Sequence, residues 1–324
     1  MSERQTIKRR MRQLAAAVVL GIGGAAVGHE GAHSHKGADG EELPKSEVSI
    51  VEEGAFRVIT ANGVPDHSEG HRNPGKVQAQ QYRFRVPLNP KPADQPTPLR
   101  HAPFGVAVNG VVFDPSTNEF WKNDRNWMYD ALSGKVELGM DANHAHVQPG
   151  GKYHYHGLPT ALLERLGADK KMALVGWAAD GFPIYGPMAY TDANDPKSPL
   201  KAMKPSYRLK KEARPSGKDG PGGKPDGTFF VDWEYEADLG DLDECNGRTG
   251  VTPEFPAGMY YYVLTKTFPF VPRQWNGTPD ASFLKRPGNG GPPRDDVRGE
   301  RREGGPRDEE RRDGERRPRP PRRE

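Results

Sequence analysis

The chain has 324 residues, 34% of them hydrophobic, a formal net charge of +3 and one cysteine, Cys245. This length accommodates one large domain or two small ones, and a single cysteine excludes an internal disulfide and a thiolate zinc cluster within one chain. The positive charge is concentrated in the two terminal segments, which leaves the stretch between them net acidic, so no nucleic-acid partner is expected.

Taken in chain order, Arg4, Lys8, Arg9, Arg10 and Arg12 precede an uncharged Ala-, Val- and Gly-rich run over residues 14–27. This is the pattern of a secretory signal peptide over residues 1–28, with cleavage after Gly28 or Ala26. The run falls short of the about 18 apolar residues that a spanning helix needs. The expectation is therefore an exported protein, periplasmic or extracellular, with no stable membrane anchor. Residues 29–47 read as a flexible, His-containing lead-in. After cleavage at Gly28, the α-amine and imidazole of His29, with His33 or His35, could chelate copper, although an unliganded polar lead-in is the plainer expectation.

Residues 48–284 are left for one domain. Short β-prone runs recur at residues 48–51, 56–60, 81–86, 104–108, 111–113, 173–178, 182–185, 229–235 and 259–265. Two of the gaps hold Asn109-Gly110 and Asp180-Gly181, dipeptides suited to two-residue type I′ hairpin turns. His67 and His71, among Asp66, Glu69, glycine and proline, read as solvated loop histidines. One helix is expected over residues 160–166, with Thr160 as N-cap and Gly167 as its stop. The fold class is thus mainly β, possibly α+β: a single domain of short hairpins with one short helix. Residues 285–324 hold one aliphatic residue, Val297, in an Arg/Pro/Gly/Glu-rich polyampholyte. Such a tail is expected to be disordered, and an anionic envelope polymer is a partner it could touch.

The densest chemical signal is HAHVQPGGKYHYHG, in which His144, His146, His154 and His156 form two His-x-His pairs around a Pro-Gly-Gly turn. Side chains two apart on a strand share a face at about 6.6 Å spacing, and neutral imidazole is the commonest ligand for zinc, copper and nickel. Convergence depends on loop parity. A three-residue loop, 148–150, sets His144 against His154, and a five-residue loop, 148–152, sets His146 against His154. A two- or four-residue loop sends the pairs to opposite faces. Tyr153 and Tyr155 alternate with the histidines and should pack inward with hydrogen-bonded hydroxyls. Asp141 and Asn143 are expected as turn formers, with orientation of the imidazoles as the alternative role.

LGMDANHAHVQPGGKYHYHGLP also pairs with GDLDECNGRTGVTPEFPAGMYYYVLT. Asp141, Tyr153 and Tyr155 answer to Asp243, Tyr260 and Tyr262, and His146 answers to Arg248. Two related hairpins, of which only the first carries chemistry, would give this pattern, and coincidence of common turn and strand residues is an equally weighted alternative.

The segments FGVAVNGVVFDP, YHYHGLP, GWAADGFPIYGP and DLDECNGRTGVTPEFPAGMYYYVLT resemble the YHYH-domain family of exported bacterial proteins, named for the motif at residues 153–156. The resemblance covers residues 104–279 and supplies no mechanism. In that family the DECNG cysteine is followed by a second cysteine near the domain's end, where this chain reads Pro272-Arg273-Gln274-Trp275. The resemblance therefore implies a lost disulfide and a free Cys245. As a nucleophile Cys245 is a poor candidate, because Asp243 and Glu244 would raise its pKa. The run Asp238, Asp241, Asp243 and Glu244 lacks the spacing of a calcium loop and reads as a solvated acidic turn.

The residues point to one transition metal, copper or zinc, on His144, His146, His154 and His156. Three uses stay open: structural support or metal handling, metal-dependent catalysis on an extracellular substrate, and a metal-free envelope-interaction or adhesion domain. Whether the chain is an enzyme is left undecided.

Overall fold

A computed structural model describes residues 35–37, 39–70, 75–100 and 102–284. Residues 1–28, read above as a signal peptide, with His29, His33, His71, His101 and residues 285–324, lie outside the described residues. In chain order the strands are β1 (Val48–Glu53), β2 (Phe56–Ala61), β3 (Tyr82–Pro87), β4 (Pro92–Pro98), β5 (Gly105–Ala107), β6 (Val112–Phe113), β7 (Ala145–Gln148) and β8 (Lys152–Tyr155). The helix α1 (Thr160–Arg165) follows, then β9 (Leu174–Ala178), β10 (Pro183–Tyr185), β11 (Met188–Tyr190), β12 (Leu200–Ala202) and β13 (Tyr207–Leu209). The last four are β14 (Trp233–Tyr235), β15 (Gly247–Gly250), β16 (Met259–Val263) and β17 (Gln274–Gly277). The architecture is β-rich with one short α-helix, as the hydrophobic patterning predicts.

An eight-stranded sheet in the order β15-β16-β10-β9-β5-β6-β8-β7 organises the molecule. Beside it lie the antiparallel sheet β1-β2-β3 and three two-stranded ribbons. The sheet reads as two copies of one four-stranded unit, β5-β6-β8-β7 and β9-β10-β16-β15, meeting at the antiparallel β5·β9 pair. Val106 and Trp177 face each other there, and the flanking pairs Gly105↔Ala178 and Ala107↔Gly176 are mirror equivalents. In each unit the inner hairpin strand runs parallel to an aromatic strand, with Phe113↔Tyr155 in one and Ile184↔Tyr262 in the other.

The hydrogen bonds repeat as well. Asp141 Oδ1 accepts the Asn143 and Ala145 amides, and Asp243 Oδ1 accepts those of Cys245 and Gly247. The Tyr153 hydroxyl donates to Asp141 as the Tyr260 hydroxyl does to Asp243. His144 and Asn246, three residues past each aspartate, both adopt positive φ, 51° and 56°. The hairpin correspondence drawn from sequence is therefore structural, and it extends to the preceding hairpins, GVAVNG answering to GWAADG.

Both predicted NG and DG hairpins form, but not with two-residue type I′ turns. Gly110 N donates to Ala107 O while Ala107 N donates to Val111 O, and Gly181, Ala178 and Phe182 repeat the arrangement. Each loop therefore has three residues. Only its glycine is left-handed, at φ 82° and 95°, which is a type I turn closed by a glycine bulge. The side chains then find buried uses: Asn109 Nδ2 donates to the Tyr155 hydroxyl at 2.9 Å, and Asp180 accepts the hydroxyl of Tyr262.

Burial raises the Asp180 pKa from 3.8 to about 6, against the lowering effect of its hydrogen bonds to Tyr262 and the Gly277 amide. A raised folded-state pKa contributes stability that is complete below pH 3.8 and lost as pH rises through about 6. Stability contributed by this group should therefore fall by about 2 kcal/mol between pH 4 and pH 7. Denaturant titrations of the parent and Asp180→Asn at both pH values read it as a difference. An equal pH response in the two proteins would show that the carboxyl is ionised in the fold without penalty.

The helix spans residues 160–165, but Thr160 is not its cap. The cap position is Pro159, and Asn143 Oδ1 accepts the Ala161 amide at 2.8 Å. A residue distant in sequence supplies the acceptor because the histidine hairpin packs against the helix start. Residues 35–37 and 39–47, read as part of a flexible lead-in, are tied to the body instead. Lys36 bridges to Glu42, Leu43 packs on the core, and Lys76 pairs with Asp39 at 2.7 Å.

Candidate metal centre

Pro149, Gly150 and Gly151 join β7 to β8, with both glycines at positive φ (88° and 73°) that other residues resist. The resulting register sets Gln148 against Lys152, Val147 against Tyr153 and His146 against His154. This is the odd register that a loop over 148–152 demands. His146, His154 and His156 consequently share a face, with ring centroids 4.5–5.0 Å apart, and one ligand atom from each lies within 4.8 Å of the others. His154 and His156 are 3% and 1% exposed, whereas His146 is half-buried.

The ring nitrogens are oriented for ligation. His146 Nδ1 donates to the Leu138 carbonyl at 2.6 Å, which turns its Nε2 toward His156. The two Nε2 atoms stand 3.2 Å apart. Two nitrogens on one tetrahedral metal at 2.0–2.1 Å would be separated by about 3.3 Å. His154 Nδ1 leans on the Lys152 carbonyl at 3.4 Å. His156 Nδ1 makes no hydrogen bond of normal geometry, and the Pro115 carbonyl toward which it lies already accepts Arg273 Nη1 at 2.5 Å. Burial, reinforced by the other two imidazoles and Arg273, holds the His156 pKa well below its ordinary value, so the ring is neutral, as a ligand must be.

His144 stands apart from this group. Its positive φ, shared with Asn246 in the other repeat, takes it out of the strand, and its Nδ1 donates to the Leu158 carbonyl at 2.9 Å. Of the four histidines read as ligands, the structure brings three together. Asp141 and Asn143 form turns and tie the hairpin to α1 and to residue 70, without touching the three-histidine group. Tyr153 and Tyr155 point to the opposite face and are buried with bonded hydroxyls, as alternation requires.

His67 is a correction. It is 8% exposed, not a solvated loop residue. Its Nδ1 donates to the Ser68 carbonyl at 3.0 Å, and its Nε2 accepts the Tyr155 hydroxyl at 2.7 Å. Loop composition around HSEGH concealed this, because the burying partner lies 88 residues away. Cys245 is free and 1% exposed, and burial, then Asp243 and Glu244, push its pKa up. Gln274 Nε2 reaches the Glu244 carbonyl beside it at 2.9 Å. Of the acidic run, Asp241 pairs with Lys201 and Asp243 holds the repeat turn, so neither is simply solvated.

The three imidazoles line a cleft of about 320 Å³ together with Asp114, Ser116, Thr117, Asn118, Glu119 and Glu137. Arg273, behind His156, is buried against Asp130 at 2.8 Å. Neither the carboxylates nor the Leu138 carbonyl carried a sequence signal, since they become neighbours of the histidines only through the fold.

No helix among the described residues is long and apolar enough to cross a membrane. No curated protein and no solved structure matches the chain. A family model described as YHYH protein matches residues 83–277, which holds both sheet repeats and the three-histidine cleft. With more than half of its length so matched, the chain belongs to the YHYH protein family.

Proposed function

We propose that this protein is exported and holds one transition metal, copper or zinc, on His146, His154 and His156. The observation that carries the reading is the 3.2 Å approach of the His146 and His156 Nε2 atoms, with the His146 ring held from behind by the Leu138 carbonyl and the His156 ring buried. If His156 Nδ1 keeps its hydrogen, both Nε2 lone pairs converge, and a cation relieves the repulsion. Export rests on the signal pattern of residues 1–28 and on family membership.

Three protein ligands beside an open cleft leave a coordination position for water or substrate, the arrangement of catalytic rather than closed structural sites. That observation favours metal-dependent chemistry on an extracellular substrate as a second reading over pure structural support. In either case the bound ion would act as a Lewis acid or hold a water, while Leu138 fixes the His146 ring and burial keeps His156 neutral.

Elemental analysis of the purified protein beside His154→Ala/His156→Ala tests the reading. About one equivalent of copper or zinc is expected in the parent and none in the variant. Free metal at 100-fold over its Kd should add about 3 kcal/mol to the parent's unfolding free energy, and chelation should remove it. No metal bound after adding either ion, with stability unchanged by chelator, would leave the metal-free envelope-interaction domain.

A further inference from the structure

The cleft has a charge pattern that constrains what can reach the open position. Asp114, Glu119 and Glu137 line it, and no lysine or arginine does. Ser116, Thr117, Asn118 and Gln148 add neutral hydrogen-bonding groups. Arg273, which lies close behind His156, is 7% exposed and engaged by Asp130 and the Pro115 carbonyl. It does not face the cleft.

The sheet's internal repeat supplies a comparison within the same molecule. Where the first unit has His146, His154 and His156, the second has Arg248, Tyr261 and Val263, paired in the same register. Asp114, which follows Phe113 at the end of β6, corresponds there to Tyr185, which follows Ile184. The counterpart position is closed by the apolar cluster of Met172, Tyr185, Ala189, Met203, Tyr261 and Val263. The scaffold therefore needs no carboxylate at this position: Tyr185 stands there, and its hydroxyl donates to Glu254 at 2.6 Å. The carboxylate belongs to the site, not to the fold.

We propose that the three-histidine cleft admits uncharged or cationic ligands bearing hydroxyl or amine groups, and that Asp114, Glu119 and Glu137 exclude anions from it. This rests on the metal-binding reading above. A divalent ion on neutral imidazoles brings a charge of about +2, and three acidic side chains with no basic one stand around it on the cleft lining. An anion approaching the open position meets repulsion from the carboxylates that line the cleft. A hydroxyl or amine instead finds acceptors.

The test uses the parent and Glu119→Gln/Glu137→Gln, each loaded with cobalt(II), desalted, and titrated with azide and with imidazole while the visible spectrum is followed. Glutamine keeps an acceptor oxygen for the Asn118 and Gly139 amides that these carboxylates hold. Azide is expected to bind the variant about tenfold more tightly than the parent, imidazole about equally, and the azide difference should shrink in about 1 M salt. Azide affinity equal in the two proteins, with cobalt retained by both, would overturn the anion exclusion and leave the metal site standing. A parent that keeps no cobalt after desalting would remove both.

Discussion

Arg273→Leu is expected to destabilise the fold by about 3–5 kcal/mol, because it leaves one partner of a buried ion pair behind. The Arg273 and Asp130 side chains are 5% and 2% exposed and meet at 2.8 Å. The guanidinium also reaches the Pro115 carbonyl and lies over the rings of Phe230 and Phe268. Leucine keeps the ring contacts and forfeits the charge. Asp130 would then be an ionised carboxylate held from water, and the Pro115 carbonyl beside His156 would lose its donor. Adding Asp130→Asn to Arg273→Leu should recover most of the loss, since the amide oxygen can still accept the Leu132 amide at the position Asp130 Oδ1 now serves. Urea unfolding of the parent, the single variant and the double variant measures each step. A single-variant loss under about 1 kcal/mol would mean that water reaches Asp130 when arginine is removed.

Much of this molecule was legible because its signals are local. All nine β-prone runs contain strand, and α1 ends at the expected glycine, since hydrophobic alternation and turn dipeptides act over a few residues. Loop parity was left open by sequence, Pro149-Gly150-Gly151 permitting the odd count, and the structure takes an odd register. Strands β4, β11, β12, β13 and β17 escaped notice, β4 because PADQPTP reads as coil. Its prolines are tolerated in a two-stranded ribbon, where half of the amides need no partner. The convergence of His146, His154 and His156 follows from the hairpin alone, but the departure of His144 follows from a left-handed residue that only the repeat with Asn246 could have indicated. His67, Asp114 and Leu138 reach the site region or its back across long sequence separations, where composition carries no information.

Gly105→Ala and Gly176→Ala should each cost about 3 kcal/mol, and by nearly equal amounts, if the sheet is two copies of one unit joined at its centre. A Cβ on Gly105 would lie 2.4 Å from the Trp177 carbonyl oxygen and 2.9 Å from Ala178 Cα, and one on Gly176 would lie 2.4 Å from the Val106 oxygen and 2.9 Å from Ala107 Cα. Both obstacles are backbone atoms of the facing strand, so no side-chain rotation relieves them. Relief requires β5 and β9 to separate or slide, which moves the hairpins on both sides. Because one displacement relieves both clashes, the double variant should cost less than the two single losses added together. Gly134→Ala is the contrast: its φ of 71° is strained for alanine, yet nothing lies within 4 Å of the added carbon, so about 1 kcal/mol is expected. Denaturant midpoints for the four variants decide the point. Unequal single-variant losses, or full additivity, would mean that the β5·β9 seam does not respond as a symmetric joint, and the equivalence of the two halves would then end at their hydrogen bonds. Equal, sub-additive losses would establish that joint, from which the histidine hairpin and its Arg248 counterpart extend on either side.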